Sequence, residues 1–138
     1  MSMEGPLFSI KSSASDRELI FLAIRESHFT VEFRSIEIRA TREGYRFHDL
    51  PGPEKFFSRL AAHKRPWAGS DDWASLEGEF SIAATCDHLG HVFFSVSICG
   101  PFGAADEWRA SASITSELGQ LPKLAEDANR FFGVHASI

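Results

Sequence analysis

A chain of 138 residues has the length of one domain, because domains usually contain about 100 to 150 residues. Its hydrophobic fraction of 43% argues against disorder, and no apolar run approaches the roughly 20 residues that cross a bilayer. Residues 66–138 carry three Lys or Arg against ten Asp or Glu, and this net charge of −7 disfavours nucleic acid and suits a basic partner. An unevenly charged, solvated surface is the simpler alternative.

The first half of the chain reads mainly as strands. A short strand is expected over 7–10, and the run "ELIFLAIR" at 18–25 predicts a strand that is covered on both faces. Apolar residues then alternate at 29, 31 and 33 and resume in the opposite phase at 36, 38 and 40. This switch predicts one long strand with a bulge across Arg34–Ser35. "REGYRF" predicts a turn at Gly44 and a short strand through Tyr45 and Phe47.

Two amphipathic segments predict helices. The first is expected over 53–64, because Pro53 suits the first helical position, Glu54 complements the helix dipole and Pro66 prevents continuation. The second is expected over 120–132, with Gly133 as a left-handed stop. Its apolar face comprises Leu121, Leu124, Ala125, Ala128 and Phe132.

Three strands are expected between the helices, in "EFSIAATC", "HVFFSVSI" and "WRASASIT". Strands followed by a helix, and again strands followed by a helix, indicate the α+β class. We therefore expect residues 1–138 to form a single α+β domain. It should contain a mostly antiparallel sheet of about six to seven strands packed with two helices.

The stretch "ATCDHLGHVFF" at 83–93 contains four residues of zinc-binding type. Alternation places Cys86 and Val92 on the core face of an antiparallel hairpin, so these two residues should oppose each other. Asp87 then pairs with His91 across a three-residue loop in which Gly90 takes the left-handed position. Cys86 faces away from both Asp87 and His91, so we predict a structural turn and no metal. The distant Cys99 cannot form a disulfide with Cys86.

The segment "RPWAGSDDWASLEGEF" combines two tryptophans with acidic residues, and "GPFGAADEW" supplies two more acids before a third tryptophan. Tryptophans that flank a polar loop predict either an aromatic binding rim or plugs over the edge of the core. Paired carboxylates can also perform acid–base catalysis, but no nucleophile spacing accompanies them. The candidate binding residues are Trp67, Asp71, Asp72, Trp73, Glu77, Asp106 and Glu107.

The outer face of the predicted hairpin sheet carries small, mostly hydroxylic side chains where a solvated face would more often carry Lys and Glu. Such a face allows another layer, chain or ligand to approach closely. Solvent, or a covering by the N-terminal strands, is the simpler alternative. The serines of this face are Ser81, Ser95, Ser97, Ser111 and Ser113.

From about Asp49 to Phe132 the chain resembles a small bacterial family of single-domain proteins without assigned function. The segments that carry the resemblance are "FFSRLAAH", "PWAGSDDWASLEGEF", "DHLGHVFFSV", "EWRASASI" and "ELGQLPKLA". The order of a tryptophan-led strand, a hairpin, a second tryptophan-led strand and an E-L-x-x-L helix is more distantly similar to WapI-type immunity proteins. That similarity implies a protein that neutralises a bacterial toxin, and it implies no catalytic residues.

The expected function is a non-enzymatic, cytoplasmic protein-binding module, with an immunity protein as its specific form. The partner would be a protein, such as a basic toxin domain, rather than nucleic acid or membrane, and no cofactor is expected. The alternative is a small-molecule or sugar-binding domain that uses the Trp67–Trp73 loop. The sequence makes no prediction about the number of subunits.

Overall fold

The computed structural model describes residues 7–25, 28–46, 51–101 and 103–133. Within this part the chain forms two four-stranded sheets and two α-helices. Sheet A consists of β1 (Phe8–Lys11), β2 (Glu18–Arg25), β3 (His28–Arg34) and β4 (Arg39–Tyr45). Sheet B consists of β5 (Asp71–Ala74), β6 (Phe80–Cys86), β7 (His91–Cys99) and β8 (Arg109–Glu117). The helices are α1 (Pro53–Ala61) and α2 (Leu121–Gly133), and a 3₁₀ turn at Leu118–Gln120 leads into α2.

Each strand pairs antiparallel with its neighbour in the sequence, so both sheets are simple meanders. The α+β class is confirmed, although the described residues form eight strands instead of six or seven. The additional strand is β5, which the sequence did not predict. It is only four residues long and alternates between half-buried and exposed side chains at the edge of sheet B.

Both sheets and both helices contribute to one hydrophobic cluster. Phe21 lies near its centre, with its ring centroid 5.7 Å from that of Phe80 in sheet B and 5.6 Å from that of Phe132 in α2. Phe57 of α1 packs edge-on against Phe8 of sheet A at 5.1 Å. Burying one such side chain stabilises the fold by roughly 1.5 to 3 kcal/mol. The aromatic residues therefore join the two sheets across their inner faces.

The segment 28–45 is a hairpin, so the prediction of one long, bulged strand is wrong. Strands β3 and β4 pair from Arg34↔Arg39 to His28↔Tyr45 around a tight turn. The hydroxyl of Ser35 accepts hydrogen bonds from the amides of Glu37 and Ile38, which replaces the bonds of a continuing strand. Ile36 is 90% exposed at the tip. The change of apolar phase marks a reversal of the chain.

Gly44 does not form the predicted turn, because it lies within β4 opposite Phe29. A Cβ atom at Gly44 would come within 2.7 Å of the Phe29 ring, so glycine is needed for close packing at this position. The predicted strand through Phe47 continues into residues outside the described part of the chain. On β2 the prediction is confirmed, since Leu19 and Phe21 are buried on one face and Ile20 on the other.

The two helices occur where the apolar stripes predict them. Pro53 starts α1, and the helix ends at Ala61, slightly earlier than expected. The predicted apolar face of α2 is buried, but Gly133 is still helical and its φ is not positive, so the expected left-handed stop is wrong. In the part of the chain that the structure describes, no helix has the length and apolarity needed to cross a membrane.

The β6–β7 hairpin has the predicted register. Cys86 opposes Val92, and the residues before Val92 form the turn in which Gly90 has a φ of +90°. Cys86 packs against the core, whereas the side chains of Asp87 and His91 bond to each other. The two cysteines, Cys86 and Cys99, are free.

Candidate functional site

Two loops meet at one end of sheet B, namely the β5–β6 loop at 75–79 and the β7–β8 connection at 100–108. The amide of Cys99 donates to the carbonyl of Glu79 at 3.0 Å, which joins the end of β7 to the first loop. The amide of Gly100 donates to the carbonyl of Trp108 at 2.8 Å, which closes the second loop. A Cβ at Gly100 would lie 2.0 Å from the indole nitrogen of Trp108. Glycine therefore lets the tryptophan lie directly over the backbone.

Exposed apolar and acidic side chains occur together in these two loops. Leu76 is 63% exposed and Trp108 is 39% exposed, although large apolar side chains are usually buried. No ion pair with a residue that the structure describes is formed by Glu77, Asp106 or Glu107. The end surface is defined here as Leu76, Glu77, Asp106, Glu107 and Trp108.

Two arginines near the end surface form hydrogen bonds with atoms of the strands. The Nε of Arg42 in β4 donates to the carbonyl of Cys99 at 2.9 Å, which ties sheet A to sheet B. Arg109 at the start of β8 donates to the hydroxyl of Ser97 at 3.3 Å. One donor of each arginine bonds to a strand atom, and neither arginine forms an ion pair with the acids of the end surface.

A cleft of about 250 Å³ lies beside Trp73, between β5, α1 and the end of β4. The indole N–H of Trp73 donates to the carbonyl of Pro51 at 2.7 Å, and its ring packs near Phe29 and Phe80. Trp73 therefore covers the edge of the core. Of the predicted binding residues, Asp72 and Trp73 line this Trp73 cleft. The complete lining is Tyr45, Arg46, Pro51, Arg59, Asp72, Trp73, Ala74 and Leu76.

Trp67 and Asp71 lie together, but they do not line the Trp73 cleft. The Trp67 ring stacks on His63 with centroids 4.0 Å apart, and the Nε2 of His63 lies 2.8 Å from an oxygen of Asp71. Trp67 lies near Cys86, at the opposite end of β6 from the end surface. The structure therefore separates the two tryptophans that the sequence placed on one rim.

In the cysteine–histidine stretch, the carboxylate of Asp87 organises the turn. Its Oδ1 accepts the amides of Leu89 and His91, and its Oδ2 lies 2.9 Å from the Nδ1 of His91. This hydrogen bond lowers the pKa of Asp87 and raises that of His91. Burial raises the pKa of the Cys86 thiol, which disfavours the thiolate that binds metals.

The serine-rich outer face of sheet B forms a shallow groove of about 410 Å³ across β6, β7 and β8. Ser95, Ser111 and Ser113 are exposed, so the N-terminal strands do not cover this face. The segment before β2 lies along the edge strand β8, where Ser13 and Arg17 donate to carbonyls of Thr115 and Ser113. The groove lacks charged side chains in its lining, and it offers a ligand little beyond hydroxyl groups.

Sequence reasoning missed several residues of the end surface and the cleft. Leu76 and Trp108 sit beside predicted acids, and an apolar residue within a polar loop was the signal that could have identified them. Arg46 directly follows β4 and Arg59 belongs to α1, so their proximity to Trp73 depends on how these elements pack.

One comparison, with models of known protein families, gives a match that covers most of the chain. The model of a family of unknown function, DUF6228, matches residues 14–135. The likeness therefore includes most of the first 48 residues, which the sequence resemblance had left outside. No curated protein and no solved structure gives a significant match. The chain belongs to the DUF6228 family of unknown function.

Proposed function

We propose that this chain is a non-enzymatic protein-binding module that meets a basic partner through the end surface, and that it acts in the cytoplasm as an immunity protein neutralising a bacterial toxin. The observation that carries the proposal is the exposure of Trp108 and Leu76 beside three carboxylates without ion-pair partners among the described residues. Aromatic anchors supply much of the energy of protein interfaces, and complementary charge speeds association.

The alternative is a small-molecule or sugar site that uses both Trp67 and Trp73. The cleft beside Trp73 supports this alternative, but Trp67 lies near Cys86 and outside the cleft lining. The end surface instead combines apolar area with solvated charge, which is the composition of a protein-binding patch with a polar rim. Protein binding is therefore the better-supported function.

The test uses a purified basic toxin domain encoded beside the gene for this chain. A Glu77→Lys and Asp106→Lys double variant should lower its association rate about tenfold or more, and higher salt should lower the wild-type rate in the same way. Asp71 is not a suitable target, because its carboxylate bonds to His63 and reversal of its charge would also disturb the fold.

The matched control is a Glu117→Lys and Glu126→Lys double variant, which changes the net charge equally. Glu117 ends β8 at the opposite end of sheet B, and Glu126 is exposed on α2. The control should bind at nearly the wild-type rate. If association is indifferent to salt and to the Glu77–Asp106 reversal, the end surface is not the docking site.

A further inference from the structure

The Trp73 cleft contains a buried cation whose hydrogen bonding is incomplete. The side chain of Arg46 is 9% exposed, with Nη1 3.7 Å from Glu54 and Nη2 donating to the carbonyl of Phe132 at 3.3 Å. Its guanidinium also lies over the Phe132 ring, 5.6 Å from the centroid. Among the described residues, nothing accepts a hydrogen bond from Arg46 Nε. This Nε has almost no accessible surface, whereas Nη1 is too far from Glu54 for a hydrogen bond, so Nη1 is the donor left for an acceptor in the cleft.

The walls of the cleft indicate the kind of molecule that would bring this acceptor. Mostly apolar surface comes from Trp73, Pro51, Ala74 and Leu76. Arg59 adds a second guanidinium, one nitrogen of which donates to the backbone carbonyl of Asp72 at 2.9 Å. A volume of about 250 Å³ equals that of about eight water molecules at about 30 Å³ each, which is the size of a ring with one substituent. The cleft thus combines room for a small apolar body with arginine donors.

The acidic neighbours limit the charge of the ligand. Asp72 lines the cleft, and an oxygen of Glu54 lies 3.7 Å from the Nη1 of Arg46. A doubly charged phosphate would be repelled by both carboxylates, whereas a single carboxylate can use the arginine donors with less repulsion. We propose that the Trp73 cleft binds a small organic monocarboxylate with an apolar or aromatic body, whose carboxylate accepts from Arg46. This site is independent of the proposed protein partner and shares only Leu76 with the end surface.

Benzoate is the probe, and the indole N–H signal of Trp73 in ¹H–¹⁵N NMR spectra is the reporter. Benzoate should shift this signal saturably with a Kd on the order of 1 mM, while the indole signals of Trp67 and Trp108 stay unchanged. Benzamide, which has the same ring without the charge, should bind at least about tenfold more weakly because charge-assisted hydrogen bonds are the stronger ones. Equal binding of benzamide, or preferred binding of inorganic phosphate, would overturn the assignment to a monocarboxylate.

Two variants test whether the cleft is the site. Ala74→Phe places a ring in the cleft from an exposed position on the edge strand β5 and should abolish the benzoate shift. Ala104→Phe, in the exposed β7–β8 connection, is the matched control and should leave the benzoate-induced shift unchanged. Arg46→Lys keeps the positive charge but loses the planar guanidinium that presents Nη1, and it should weaken benzoate binding at least about tenfold. Undiminished binding in Ala74→Phe would overturn the proposal even if Arg46→Lys failed to fold.

Discussion

The ion pair between Asp87 and His91 adds stability to the β6–β7 turn while both side chains are charged. The folded-state pKa of Asp87 is lowered by the hydrogen bond from His91, so its contribution is lost as the pH falls through that pKa. The folded-state pKa of His91 is raised by the same bond, so its contribution is lost as the pH rises through that pKa. The pair therefore supports the turn most strongly between the two pKa values.

An Asp87→Asn substitution should lower the pKa of His91 toward its usual value. Asparagine retains an oxygen that can accept the amides of Leu89 and His91, so the turn should stay folded while the negative charge is lost. The measurement is an NMR titration of the His91 ring in wild type and variant, with His63 as an internal control because its partner is Asp71. An unchanged pKa for His91 would show that the two side chains do not interact in solution.

At the scale of an element, the alternation of β7 separates a core face from a solvent face. Phe94 is fully buried with its ring 6.2 Å from that of Phe57, whereas the neighbouring Ser95 is exposed. Phe94→Ala should lower the free energy of unfolding by about 3 to 5 kcal/mol, and Ser95→Ala should change it by less than about 0.5 kcal/mol. Urea denaturation of both variants measures the difference. Equal effects would contradict the register of the hairpin.

The β6–β7 hairpin could be predicted because two strictly alternating runs flank a glycine with a required left-handed conformation. The β3–β4 hairpin could not, because its turn contains Ile36 and Ile38 and neither glycine nor proline. A serine hydroxyl and the carboxylate of Asp16, which accepts the amide of Ile36 at 2.7 Å, hold that turn instead. Ser35 was the available local signal, since serine side chains bond to nearby amides in turns.

At the scale of the whole molecule, the shared core predicts that both sheets unfold together. Trp73 makes this measurable, because its ring centroid lies 6.2 Å from Phe29 of sheet A and 6.2 Å from Phe80 of sheet B. Denaturation curves from far-UV circular dichroism and from tryptophan fluorescence should coincide, as in a two-state transition. Two separate midpoints would contradict the prediction that the chain is a single domain.

At this scale, only part of the candidate site could be predicted from the sequence. The acidic residues of the end surface could be identified as binding candidates because they are concentrated in two segments, each of which lies next to a tryptophan in the sequence. The Trp73 cleft was not recognisable, because Arg46 follows β4, Arg59 belongs to α1, and both meet β5 only after folding. A local pattern can mark a loop as unusual, but it does not encode which distant side chain will lie against it.

Within each sheet every strand pairs with its sequence neighbour, so each meander can form as soon as its own strands have been synthesised. Strands β1 to β4 and α1 have been synthesised once Ala61 has been added, yet Phe21 still awaits Phe80 and Phe132. The ribosome adds about 5 to 20 residues per second, so the roughly 60 residues from there to α2 take about 3 to 12 s. We expect the nascent chain to expose this aromatic surface during that interval, and a translational pause before Leu121 to prolong the exposure.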